Sequence, residues 1–341
     1  MGALLSLPLM TVFLLPAFTS YTTTLNAMFF YMTWMTLVLS HSALRVEMFG
    51  TIAVRLLFYW VPSFLFYLFD LLTPSASIVI KASGEISLPA SKRKGKTGWM
   101  EFLGDFKIPG WALLNLGIGI TLQLCVEWFF VSVLGVRSAI RVSIKVPMPW
   151  DILKQMFYGL CLRECLTYSI HRFILYSRKR YPVVINLAKW HDKWYHDISS
   201  PFPLSAHYDH PVTYLIGTFI PTYFPALFFR FHMLTYLVYM AIISIEETFA
   251  YSGYKIMPTA FFLGGIARRI DYHCLSRGEG NFGPWGILDW FCGTSIGDSM
   301  GDNLIAGFQE RMIDESIQNA FEANKRKIKA DTLRRNTAKK R

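Results

Sequence analysis

Long apolar stretches alternate with short polar ones along the 341-residue chain, and their lengths predict helices rather than strands. Apolar runs cover about 4–18, 28–39, 52–72 and 111–136. The last two are long enough to cross a hydrocarbon core of roughly 30 Å at about 1.5 Å per residue. The first two are shorter and predict either a hairpin or one broken span. A helix is expected over 150–176. A final apolar pair, 212–229 and 233–249, is interrupted near Pro221 and Pro225 and predicts a membrane hairpin whose ends return to one side. Over 303–329 apolar residues recur at helical spacing (Leu304, Phe308, Met312, Ile313, Ile317, Phe321) with charges opposite, which predicts an amphipathic surface helix.

Composition strengthens the membrane reading. Hydrophobic residues make up 53% of the chain and charged residues 17%, with mean hydropathy +0.33. A soluble domain carries roughly 25% charged residues, so a simple secreted globule, a coiled coil and a disordered chain are excluded. The net charge of +11 is concentrated in the SKRKGK segment around Lys92–Lys96 and in residues 309–341, with ten Lys or Arg against five Asp or Glu. Beside apolar spans such clusters set topology through the cytosolic bias of basic loops, so no nucleic-acid partner is expected. The same bias puts loop 73–110, segment 176–193 and the basic tail on the cytosolic side. Lys94–Thr97 imitates the end of a phosphate-binding loop, but Ala90 stands where that loop needs glycine. The five cysteines contain no CxxC pair and predict free thiols rather than a disulfide framework.

Five of the eight histidines fall within residues 171–210. Ionisable residues at the ends of membrane spans mark functional sites, and imidazole suits iron, zinc and copper. The order Tyr168–His171–Arg172, then Trp190–His191–Asp192 through His196–Asp197, then His207–Asp209–His210–Pro211, resembles the histidine boxes of the fatty acid hydroxylase/sterol desaturase superfamily. Glu247–Thr248 with Tyr251–Ser252–Gly253–Tyr254 resembles the segment after that family's membrane hairpin. Asp271–Tyr272–His273 and the run from Asn281–Phe282–Gly283 to Leu288–Asp289–Trp290 resemble its third box and C-terminal signature. The resemblance covers about 161–298.

It implies an all-α polytopic protein of the endoplasmic reticulum: a helical transmembrane bundle with a cytosolic helical cap formed by the histidine-box segments. The implied regions are an N-terminal transmembrane part (1–149), a fatty acid hydroxylase-like part (150–300) containing the hairpin (212–249), and a basic tail (301–341). The implied activity is an oxidoreductase acting on a sterol, fatty acyl or isoprenoid lipid, using iron and a cytochrome b5-type electron donor. His171, His196, His210 and His273 stand at matching ligand positions, with His191, Asp192, His207 and Asp271 as auxiliary candidates. Leu175, Tyr195, Tyr251, Arg269, Ile270 and Cys274 depart from the family's ligands. These departures keep three alternatives open: a single ion, no ion, and a catalytically inactive relative that binds lipid or a paralogous enzyme. His191 and His196, five residues apart, lie about 140° apart on an ideal helix, so both can reach one ion only across an irregularity. Arg269 and Asp271 are expected to pair.

Overall fold

The computed structural model describes residues 21–88, 106–177, 181–198, 200–254 and 263–297. The N-terminal apolar run 4–18, the SKRKGK cluster and the amphipathic tail lie outside them. The described residues are helical, with two isolated bridging pairs, Lys81 with Tyr254 and Arg141 with His232.

Helix α1 (Tyr21–Ser40) precedes α2 (Ala43–Arg55), which runs through a π-helical turn at Leu56–Trp60 into α3 (Val61–Leu72) and is followed by the short α4 (Pro74–Ile80). Helix α5 (Lys107–Trp128) ends in a π turn at Phe129–Val133, and α6 (Pro149–Ile170) ends in another at His171–Leu175. Helix α7 (Pro182–Trp194) tightens into a 3-10 turn at Tyr195–Asp197. The hairpin consists of α8 (Pro211–Tyr214), a π turn at Leu215–Phe219, α9 (Ile220–Phe228) and α10 (Met233–Ala250). Helices α11 (Leu263–Leu275) and α12 (Ile287–Phe291) follow among the described residues.

Among the described residues, three continuous helices are long and apolar enough to span a bilayer: Ala43–Leu72, Lys107–Val133 and Met233–Ala250. At about 1.5 Å per residue the shortest, with 18 residues, reaches roughly 27 Å. Two spans expected from the sequence are therefore present, the first beginning nine residues earlier than the apolar run because Val46, Glu47 and Thr51 are buried against the bundle. Large apolar side chains such as Phe29, Phe49, Leu57 and Leu113 point outward, as lipid-facing helices require.

Several buried polar groups inside the bundle pair across helices. Gln123 on α5 donates to Glu47 Oε1 (2.7 Å) and Thr51 Oγ1 (3.2 Å) on α2. Arg55 binds Ser244 Oγ (3.1 Å) and the Glu247 carboxylate on α10. In hydrocarbon each of these groups is costly without its partner, so the pairs lock α2, α5 and α10 in one register. The core between them is aromatic, with Tyr223, Phe231, Tyr236 and Tyr239 all buried.

Candidate functional site

The site begins with two irregularities. An α-helix bonds each N–H to the carbonyl four residues back, whereas a π turn bonds it to the fifth. At the end of α6 the Tyr176 N–H donates to the His171 carbonyl (2.8 Å). The extra residue lets Tyr176 take the angular place beside His171 that Leu175 would hold in a regular helix. Leu175 turns instead into an apolar cluster with Ile170 and Leu187. At the end of α7 the 3-10 turn rewinds the chain between His191 and His196. Both rings then face the same point, which an ideal helix forbids.

That point is the Tyr176 hydroxyl. His191 Nε2 lies 2.8 Å from it, His196 Nε2 2.6 Å and His273 Nε2 2.8 Å. The Tyr176 ring rests on Gly278, whose φ is +80°; a Cβ there would meet the ring 2.0 Å away. Only glycine satisfies both demands.

The far nitrogens define the protonation of three rings. His191 Nδ1 donates to Asp209 Oδ2 (2.7 Å), His273 Nδ1 to the Gly280 carbonyl (2.7 Å) and His171 Nδ1 to the Thr167 carbonyl (2.8 Å). In a ring whose only proton is on Nδ1, Nε2 presents a lone pair inward. Burial, with His191 close by, lowers the pKa of His171 to about 4 and of His196 to about 3. Burial also holds His273 well below the ordinary histidine value and pushes the Tyr176 phenol well above its own. Burial thus favours the neutral forms of His171, His196 and His273 beside a protonated phenol.

His171 does not touch the Tyr176 hydroxyl. Its Nε2 faces a cavity of about 100 Å³ that His191, His207, Glu247 and His273 also line. Tyr214, Gly217, Thr218 and Thr222 of the hairpin form the facing wall. Glu246 binds Arg163 through two hydrogen bonds (2.8 and 3.2 Å) and accepts from the Trp285 indole (3.1 Å). Glu246 and Glu247 therefore line a polar pocket.

The remaining candidates are placed as follows. His210 lies outside the cluster: its Nδ1 caps α8 by accepting from Val212 N (3.3 Å), and its ring stacks on Trp190. Asp192 is exposed. His207 is buried with Nε2 3.3 Å from Glu247 Oε2. Asp271 accepts from Ser83 (3.0 Å) and Ser200 (2.8 Å), joining three cap segments. The expected Arg269–Asp271 pair does not form; Arg269 donates to Asp289 Oδ2 (2.8 Å). Asp289 already accepts from the Phe282 and Gly283 amides, and this ready-made anion site draws the guanidinium away from its nearer neighbour. Tyr195 and Tyr251 hydrogen-bond each other (2.9 Å). Ile270 lines the cavity as hydrocarbon, and burial raises the Cys274 thiol to about 12. Tyr176 was not among the candidates, because helical counting in steps of four passes over it. Asp209, beside a conspicuous histidine, was the signal for the His191 partner.

Among the described residues no group of three or more His, Cys, Asp or Glu is arranged as a ready metal site. A two-iron centre, which demands about eight donors held rigidly, does not fit: Leu175 and Ile270 have no lone pair, and Arg269 is a fixed cation bound to Asp289.

Residues 156–294, which contain every member of the cluster, match the fatty acid hydroxylase family. The chain is 30% identical to the very-long-chain aldehyde decarbonylase GL1-8 of Oryza sativa subsp. indica over 169 residues, 47% of this chain and 58% of that protein. It is 25% identical to methylsterol monooxygenase 1-1 of Arabidopsis thaliana over 210 residues, 56% of this chain and 61% of that one. It is 30% identical to methylsterol monooxygenase 1 of Danio rerio over 153 residues, 40% and 47% respectively. The chain thus spans less than two thirds of the relatives it matches, and no solved structure matches it. With their histidine segments in family order on a helical membrane scaffold, residues 156–294 are of the fatty acid hydroxylase/sterol desaturase type.

Proposed function

We propose that this protein is a membrane-bound, oxidoreductase-type enzyme that modifies one carbon of a sterol, fatty acyl or isoprenoid lipid. The observation that carries the reading is the shared cavity: its one wall is the histidine cap and its other is the membrane hairpin. About 100 Å³ is too little for a whole lipid, since pockets that enclose drug-sized ligands run to roughly 300–1,000 Å³. The cavity therefore admits the reacting end of a molecule whose remainder lies along the apolar helices. There His171 presents an Nε2 lone pair, and Asp209 orients the His191 ring through its Nδ1–H. Gly217 keeps the hairpin wall open opposite them: a Cβ there would reach 3.0 Å from Leu175 and 3.8 Å from His171 Nε2. The matched relatives include proteins named as methylsterol monooxygenases and aldehyde decarbonylases, which supports a lipid substrate and an endoplasmic-reticulum location. The histidine cap faces the cytosol in this reading, within reach of a cytochrome b5-type donor.

The test is untargeted lipid mass spectrometry on membranes from cells producing the full chain, supplied with sterol, acyl and isoprenoid precursors. The expected result is a product that has gained one oxygen or lost two hydrogens, absent when His273→Ala is produced at equal yield. An unchanged lipid profile beside normally folded wild-type protein overturns the proposal.

A further inference from the structure

The cavity beside the histidine cap has a smaller neighbour. A space of about 20 Å³ lies between α2, α5 and the hairpin, and Tyr214, Thr218 and Thr222 line both cavities. Spaced by four along the hairpin's first helix, the three side chains form a row that partitions one cavity from the other. Thr218 sits in the π turn Leu215–Phe219, and such turns gather at functional sites. The partition is fixed in place. The Tyr214 ring meets the His207 ring edge-on, with 5.6 Å between centroids. On α5, Gly119 lets the hairpin approach closely: a Cβ there would lie 3.0 Å from Phe219 and 3.5 Å from the Tyr214 hydroxyl.

The space behind the partition can take hydrocarbon. Leu116, Ile120 and Met240 give it an apolar side. On its polar side Tyr236 donates to Gln123 Oε1 (2.9 Å), Gln123 donates to Thr51 Oγ1 (3.2 Å) and Arg55 binds Glu247, so these groups need no partner from a ligand. An alkyl end entering there would bury apolar surface and break none of these bonds; the partition alone bars it. We propose that Tyr214, Thr218 and Thr222 are the end stop for the lipid, setting how deep its tip enters and so which carbon faces His171. This end stop presupposes the lipid-modifying reading for the fate of that carbon; the depth of entry is a matter of binding alone. The cap is the fixed reference, since the Thr167 carbonyl and Asp209 hold the rings of His171 and His191. With the cap fixed, moving the stop inward by the length of one carbon presents the next carbon along the chain.

The test uses full-length protein in detergent and two photoreactive probes, a long-chain primary alcohol and a sterol, each with a diazirine at the far end of its alkyl chain. After illumination, peptide mass spectrometry locates the adducts. We expect at least one probe to label the wild type within residues 214–222. In the double variant Thr218→Ala/Thr222→Ala the adducts should shift to residues 51–55 of α2 or 116–123 of α5, which line the smaller cavity. In the lipid assay the same variant should modify a carbon at least one position further from the chain end, and Thr222→Leu, which thickens the partition, a carbon nearer to it. Adducts that stay within 214–222 in the opened variant, wild-type adducts confined to the cap or the outer surface, or no adduct with either probe each overturns the proposal. If the double variant loses its helical circular dichroism, Thr218→Ala alone decides by the same shift. The lipid assay separates the two proposals. A wild type labelled as expected that changes no lipid refutes the lipid-modifying reading alone. One that modifies lipid while adducts and product position ignore the partition refutes the end stop alone.

Discussion

Gly278 holds the position of the Tyr176 ring, and replacing it measures how firmly the ring is held. In Gly278→Ala the new Cβ would lie 2.0 Å from Cε1 and 2.6 Å from both Cδ1 and Cζ of Tyr176, where ordinary contact begins near 3.4 Å. The ring must therefore retreat by about 1.4 Å (3.4 less 2.0), carrying its hydroxyl away from three nitrogens. Left-handed backbone costs an L residue roughly 1–2 kcal/mol, and overpacking adds about 1–3 kcal/mol. The expected loss of stability is about 2–5 kcal/mol. Equilibrium unfolding in mixed SDS micelles, followed by circular dichroism, supplies the number. A double-mutant cycle with Tyr176→Ala separates the two terms, because removal of the ring relieves the overpacking and leaves the backbone strain. The two substitutions should therefore couple by about 1–3 kcal/mol. Coupling below about 0.5 kcal/mol would show that the ring does not rest on Gly278.

Further predictions concern the groups around the ring. In Asp209→Asn, Oδ1 keeps its bond from the His210 amide (2.7 Å) and turns an NH2 group toward His191 Nδ1; the imidazole must switch tautomer, and lipid turnover should fall about 10–100-fold with unchanged yield, a loss that unchanged turnover would refute. Burial lowers His171 to about 4 and His196 to about 3; the unfolded chain therefore binds more protons below about pH 6.5. Stability is then fully present above that pH and lost as pH falls toward 4, and a flat thermal midpoint over this range would contradict it. Arg269→Ala leaves the buried Asp289 with hydrogen bonds but without its countercharge, which should cost about 3 kcal/mol in the same SDS titration, whereas Asp192→Ala, on an exposed residue, should cost less than about 0.5 kcal/mol.

The spans were legible because hydrocarbon imposes continuous apolar runs, and 111–136 differs from the observed Lys107–Val133 helix only at its ends. His171, His196 and His273 were legible through motif order, and the structure brings their segments together. What escaped lies where helical counting fails. Tyr176 enters through a π turn, which changes which side chains share a face; His191, an auxiliary candidate in the sequence, is brought beside His196 by the 3-10 turn that follows its helix. His210 stands at a family ligand position but also just before Pro211 at a helix start, where its ring serves as a cap. Nothing in a linear pattern distinguishes those two uses. The partner of Arg269 escaped for a different reason: the amides that make Asp289 attractive belong to a loop whose folding no spacing reveals.

The ion pair between Arg55 and Glu247 joins residues 192 positions apart, which bears on how the chain is made. When α2 and α3 leave the ribosome, Arg55 has no partner, and an arginine at the centre of a span disfavours insertion by about 2.5–3.5 kcal/mol. The carboxylate that neutralises it is synthesised roughly 10–40 s later, at about 5–20 residues per second. During that interval the first span depends on its apolar residues, or on the insertion machinery, to stay in place. A nascent chain arrested before α10 should therefore be unusually prone to slip out of the bilayer, and quality control in the membrane would recognise this protein by an unmatched arginine rather than by exposed hydrocarbon.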